Sequence, residues 1–184
     1  MKRERSHLVR EVVETLVLTL LIFVVIHFVV QSYHIDGTSM QPTLNSSEYV
    51  VVNKTAYMFQ QPERGDVIVF HYPLQPSQDY IKRVIGLPGD HIKTDATHVW
   101  VNGQLLNEKY ISAPANPGTQ QWTVPKNDYF VMGDNRPVSD DSRIWGFVPQ
   151  SYIIGKAVLI YWPVPDWQFI NTFKSTYTAI KPAQ

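Results

Sequence analysis

Three short clusters in the 184-residue chain hold residue types that could do chemistry. The first runs Ile35-Asp36-Gly37-Thr38-Ser39-Met40-Gln41-Pro42-Thr43-Leu44. Glycine permits an unusual backbone angle or a close approach, and proline bars a following central strand. A serine at position 39 can therefore present both its Oγ and its own N–H to a ligand, although the same string by itself also reads as an ordinary surface turn. The second cluster is Tyr80-Ile81-Lys82-Arg83-Val84-Ile85-Gly86-Leu87-Pro88-Gly89-Asp90. In a strand, alternation puts Lys82 and Arg83 on opposite faces, so one of the two cations must point toward apolar neighbours. Burial disfavours an ammonium and lowers its pKa, which turns a lysine into a usable general base. The alternative is a lysine whose stem lies on a half-exposed strand with its head in water. The third cluster, Gly133-Asp134-Asn135-Arg136-Pro137-Val138-Ser139-Asp140-Asp141-Ser142-Arg143, is dense in acids and hydroxyls, but it lacks the glycine position and late glutamate of a calcium loop. A turn held by Asp–Arg pairs fits it better.

Composition narrows the chemistry. With no cysteine, thiol nucleophiles, thiolate metal sites and disulfides are excluded, so a nucleophile must be Ser, Thr, Lys or a carboxylate. Lys plus Arg number 16 and Asp plus Glu 16, which leaves no basic excess for nucleic acid. His34, His71, His91 and His98 show no metal-ligand spacing, and there is no G-x-S-x-G elbow, Walker loop or S-x-x-K pair. At 44% apolar and 17% charged residues the chain is too hydrophobic for disorder, and its length suits one domain with room for an insertion.

The clusters must be positioned by two kinds of element. Leu16 to Val30 is apolar except for Thr19 and His27, and Val12, Val13 and Thr15 extend it past Glu14. Roughly 20 helical residues span a ~30 Å hydrocarbon core, so residues 12–33 are expected to form a transmembrane anchor. Lys2, Arg3, Arg5 and Arg10 outweigh Glu4 and Glu11, which by the positive-inside rule keeps residues 1–11 cytoplasmic. The rest then lies on the outer face of the cell membrane, in a single-pass topology. The run exceeds the ~7–15 residues of a signal-peptide core, and Gln31-Ser32-Tyr33-His34 offers no small-x-small site, so the anchor is expected to stay uncleaved.

The exported residues 34–165 read as mainly β. Tyr49–Val52, Asp66–Phe70, Tyr80–Ile85, Tyr129–Met132 and Ala157–Trp162 are short runs of Val, Ile and aromatics between Pro, Gly, Asn and Asp. Residues 98–106 form a hairpin, since Asn102-Gly103 supplies the two positive-φ positions of a type I′ turn. Ala113 to Gln121 is loop by composition, and residues 91–128 are expected as a small inserted β lobe. Residues 166–184 form a C-terminal tail. Its Trp167, Phe169 and Phe173, together with Trp162 and the lobe's Trp100 and Trp122, are candidates for headgroup contact.

The order of anchor, G-T-S-M-Q-P-T-L, Y-I-K-R-V-I-G-L-P-G-D, G-D-N-R-P-V-S-D-D-S-R and I-G-K-A-V-L-I-Y-W-P resembles a bacterial type I signal peptidase over roughly residues 10 to 165. The single anchor and small lobe are similar to the Gram-positive branch. The resemblance implies the signal-peptidase β fold, with Ser39 as nucleophile and Lys82 as general base. Ser139 would hydrogen-bond the lysine, and Asp141 and Arg143 would support the site. It also implies signal peptides of secreted preproteins as substrates, cut after small-x-small sequences at the lipid bilayer, with no metal or cofactor. The sequence departs from the family pattern at Val138, where an Asn is common, and at Gly37, where some members carry a serine as oxyanion donor. The backbone N–H of Ser39 is the nearest oxyanion donor. Two other readings keep the β pattern: a catalytically silent membrane-anchored binding or assembly protein, and a Ser-Lys peptidase of the self-cleaving repressor type. The anchor and the lack of a DNA-binding helical module argue against the latter.

Overall fold

The N-terminal apolar run folds as one long helix, α1 (Lys2–Val29), whose segment Arg10–Val29 is long and apolar enough to cross a membrane and is not buried by any other part of the chain. A computed structural model describes residues 2–181 of the chain. Met1 and residues 182–184, the end of the expected tail, lie outside it, as do the side chains of residues 2–6, 8 and 9, among them Lys2, Arg3 and Arg5.

The helix passes directly into strand β1 (Val30–His34), which pairs with β2 (Tyr49–Asn53). Residues 30–33, assigned to the anchor on hydropathy, are therefore sheet, because their backbone groups find partners in β2. The next strands are β3 (Val67–His71) and β4 (Asp79–Gly86). A lobe follows, built from β5 (His91–Thr94), β6 (Val99–Val101), β7 (Gln104–Leu105) and β8 (Gln120–Thr123). Asn102 and Gly103 between β6 and β7 have φ of 51° and 79°, as the type I′ turn requires. The chain then returns through β9 (Asp128–Met132), the short helix α2 (Ser142–Trp145), β10 (Val148–Pro149) and β11 (Ile153–Trp162). It ends with β12 (Gln168–Phe169) and α3 (Lys174–Tyr177).

The fold is mainly β and antiparallel. The large sheet has the order β1-β2-β11-β3-β4-β9-β10, with β12 on β11, and the lobe has the order β7-β6-β5-β8. Both faces of the large sheet are covered, which is why β3 is an unbroken apolar run. Val67 and Val69 pack with Ile35, Met40 and Leu44 on one face, and Ile68 and Phe70 pack with Tyr129 and Val131 on the other. A third cluster joins sheet to lobe through Ile85, Ile92, Val101 and Phe130.

The tail is part of this core. Tyr177 and Ile180 are buried in the joint between sheet and lobe, Ile170 is buried against the first face, and Thr176 Oγ1 donates to the Asn107 carbonyl. Trp122 packs against Phe130 and Phe173 against Tyr110, so each is half-buried. Trp162, Trp167 and Phe169 remain exposed.

One transverse row of the sheet bears on function. Val30 lies opposite Asn53, Asn53 opposite Lys156, Lys156 opposite Ile68, and Ile68 opposite Lys82. Four strand spacings of ~4.8 Å put Lys82 about 19 Å from the first residue after the membrane helix.

Candidate active site

Ser39 sits in a tight turn after β1. Leu44 N–H donates to the Met40 carbonyl, and Met40 and Leu44 are buried, which fixes the turn to the core beneath it. Gly37 has φ +104°, and a Cβ there would meet nothing within 4 Å. The glycine is favoured by backbone angle and not by space, so a serine at this position would be strained by about 1–2 kcal/mol. The carbonyls around Ser39 are clamped from the third cluster. Asn135 N–H donates to the Ser39 carbonyl at 3.0 Å, and Asn135 Nδ2 donates to the Thr38 carbonyl at 3.0 Å.

Lys82 reaches this turn from the middle of β4. Its Nζ lies 2.8 Å from Ser39 Oγ and donates to the Ile81 carbonyl at 3.0 Å. The side chain is 4% exposed and has no carboxylate in contact among the described residues. Burial draws its pKa down from 10.5 to about 8, against the opposing charges of Asp141, Asp140 and Asp134, which act from a distance. A primary amine that is about half neutral near pH 8 and touches a serine hydroxyl can accept that proton as the oxygen attacks.

Ser139 is buried beside the pair, but its Oγ has no hydrogen-bond partner among the described residues. The expected bond to Lys82 is not formed in this structure, and the Ile81 carbonyl takes that place. Gly133 is what brings Ser139 close: a Cβ at 133 would collide with both Ser139 Oγ and the Ser39 carbonyl oxygen. Asp141 and Arg143 do not touch the pair. They form a two-pronged ion pair at 2.8 Å on each oxygen, while Asp141 Oδ2 accepts from Gly133 N–H. Arg143 also donates to the Ala115 and Asn116 side of the lobe, so this pair holds the loop and lobe in register.

Several positioning residues were not singled out from the sequence. Arg136 donates to the Gly133 carbonyl and pairs with Glu108 of the lobe, and Thr43 Oγ1 donates to Asp134, the partner of Arg83. The contacts to Glu108 and Asp134 span 28 or more residues, and nothing local in the sequence marks them.

A cleft of about 560 Å³ opens on Ser39 and Lys82, walled by residues 33–38 on one bank and 78–81 on the other, with Val138 and Asp140 beside the pair. Its apolar wall is Ile35, Val69 and Ile81.

The sequence profile described as signal peptidase, peptidase S26, matches residues 8–162. The chain belongs to that family. A probable signal peptidase I-2 of Synechocystis sp. is 41% identical over 143 residues, covering 75% of this chain and 66% of that protein. Signal peptidase I of Leptolyngbya laminosa is 44% identical over 148 residues, covering 74% and 71%. Signal peptidase IB of Staphylococcus aureus is 34% identical over 185 residues, covering 90% and 95%. Membership in the S26 signal peptidases makes the chain a peptidase of signal peptides, and α1 is consistent with the membrane association of that family.

Proposed function

We propose that the protein is a single-pass membrane endopeptidase with a Ser39–Lys82 dyad, which removes signal peptides from exported preproteins after small-x-small sequences. The observation that carries this reading is the 2.8 Å contact between Ser39 Oγ and a lysine amine that is buried without a counter-ion among the described residues. Neutral Lys82 takes the Oγ proton as the oxygen attacks the scissile carbonyl, and then delivers it to the leaving amine when the C–N bond breaks. The Ser39 ester that remains is hydrolysed by water, with Lys82 again holding the proton in transit. The Ser39 N–H is the oxyanion donor. Asp141 and Arg143 hold the loop that carries Gly133 and Ser139, and Ser139 supports the lysine.

Two features support a membrane-bound substrate. The row from Val30 to Lys82 holds the dyad about 19 Å from the point where the helix ends, and the apolar wall of the cleft suits small aliphatic side chains. In this reading the N-terminus is cytoplasmic, the catalytic part comprises residues 34–165 with the lobe at 91–128, and it faces the outer side.

The test is incubation of the detergent-solubilised full chain with a preprotein and mapping of the cut by mass. Cleavage after a small-x-small sequence, absent in Ser39→Ala, is expected. Cleavage that persists in Ser39→Ala, or no cleavage of any preprotein by the unaltered chain, overturns the reading.

A further inference from the structure

Asp140 stands on the rim of the cleft beside the dyad, exposed, between exposed Val138 and buried Asp141. Among the described residues no cation is paired with its carboxylate. Asp79 in the same cleft is different, because it accepts from the Tyr33 hydroxyl and lies 2.8 Å from His71 Nδ1. Tyr80, which lines the same cleft as Asp140, belongs to an aromatic wall. The rings of Tyr72 and Tyr80 stack at 4.3 Å with 4° between their planes, and Trp145 meets Tyr72 edge-on at 5.7 Å. Phe70 lies behind both Tyr80 and Trp145 and holds the wall rigid. Burial, and after it the Asp140 charge, raises both phenols above their ordinary pKa, so the carboxylate and the rings share one electrostatic environment.

The face of such a wall attracts cations, and Lys82 Nζ itself stands 5.3 Å from the Tyr80 centroid. Asp36, Asp79 and Asp140 line the cleft, and Lys82 is the one lysine or arginine among its lining residues, so three carboxylates face a single amine that burial disposes to lose its proton.

We propose that Asp140 and the Tyr72–Tyr80 stack form a subsite for a basic side chain of a substrate residue flanking the scissile bond, where lysine or arginine is favoured over glutamate. The inference rests on the Ser39–Lys82 reading in one respect: if positions −3 and −1 must be small, a long side chain can reach the rim only from −2, +1 or +2. The amine or guanidinium lies against the rings and the Asp140 carboxylate, and its aliphatic stem runs along Val138.

Preproteins carrying Lys, Gln or Glu at −2, +1 or +2 test this, with kcat/KM measured at one pH for the full chain, Asp140→Asn, Asp140→Lys and Asp79→Asn. A partly exposed ion pair and a cation–ring contact together give a Lys-over-Glu preference of about tenfold at one of these positions. Asp140→Asn is expected to flatten that ratio, Asp140→Lys to reverse it, and Asp79→Asn to keep it. A ratio that is the same in all four proteins at every position overturns the proposal. A ratio that Asp79→Asn removes as fully as Asp140→Asn overturns it too, since the preference would then belong to the bulk charge of the cleft. Binding of the same peptides to Ser39→Ala separates this failure from failure of the cleavage reading, because a charge preference in Kd that depends on Asp140 needs no turnover.

Discussion

Lys82 and Arg83 are neighbours on one strand, both cationic and both buried, and the protein treats them in opposite ways. Arg83 places Nε and Nη2 on the two oxygens of Asp134 at 2.9 and 2.8 Å, and gives Nη1 to the Gly65 and Asn171 carbonyls. Its guanidinium lies 4.5 Å over the Tyr110 ring. Burial alone would lower its pKa, but the Asp134 hydrogen bonds and charge raise it. Lys82 has one hydroxyl and one carbonyl for company and is drawn down to about 8. Burial therefore does not decide what a cation becomes. The partner does: a paired charge is held as part of the structure, and an unpaired one is left disposed to give up its proton.

The sharpest way to break the contrast is to remove the base. Ser39→Ala, Lys82→Ala and Lys82→Arg are each expected to lower kcat by at least about a thousandfold, because a guanidinium does not deprotonate in a protein. Circular dichroism should show the fold unchanged. Turnover by Lys82→Arg at the normal rate would exclude lysine as the base.

Removing the partner of the other cation acts on stability. Asp134→Ala leaves Arg83 buried without its counter-ion and is expected to destabilise the protein by about 3–5 kcal/mol, read from denaturant unfolding of the detergent-solubilised chain. A loss below about 1 kcal/mol would mean that the Gly65 and Asn171 carbonyls suffice.

Lys82→Met should move stability the other way. The unfolded lysine titrates near 10.5 and the folded one near 8, so the folded state binds fewer protons between these values. Stability thus rises with pH across that window, and below about pH 8 the buried ammonium costs on the order of 3 kcal/mol. Methionine removes that cost together with two hydrogen bonds, for a net gain of about 1–3 kcal/mol near pH 7. The gain should shrink as pH approaches 10. A variant less stable than the parent at pH 7 would show that Lys82 is not strained by burial.

The smallest effect concerns Ser139. The pH profile of kcat/KM should rise through an apparent pKa of about 8 as Lys82 loses its proton. Since Ser139 Oγ has no hydrogen bond to the amine in the free protein, Ser139→Ala is expected to lower kcat by roughly tenfold or less, with KM little changed. A loss as large as that of Lys82→Ala would place a Ser139–Lys82 bond in the reacting complex.

Some of this molecule is local chemistry and was legible in the chain. The apolar run could only be a long helix, since no polar face breaks it, and Asn102-Gly103 could only be a tight turn with positive φ at both residues. Ser39 and Lys82 were assigned by the motifs taken together, since each cluster alone also reads as an ordinary turn or a half-exposed lysine. Alternation along β4 put Lys82 and Arg83 on opposite faces, but could not tell which would be paired. That was decided by Asp134, 51 positions away in sequence. The tail gave no local sign that Tyr177 and Ile180 seal the joint between sheet and lobe, because a short aromatic segment reads alike whether it packs on protein or lies in solvent. The end of the anchor is a similar case: hydropathy measures preference for lipid, whereas residues 30–33 leave the helix to pair with β2 as the edge of the large sheet. Local propensity, pattern and turn geometry are written in neighbouring residues. The pairing of a buried charge, the seating of a tail and the register of a strand depend on partners the chain meets only once it has folded.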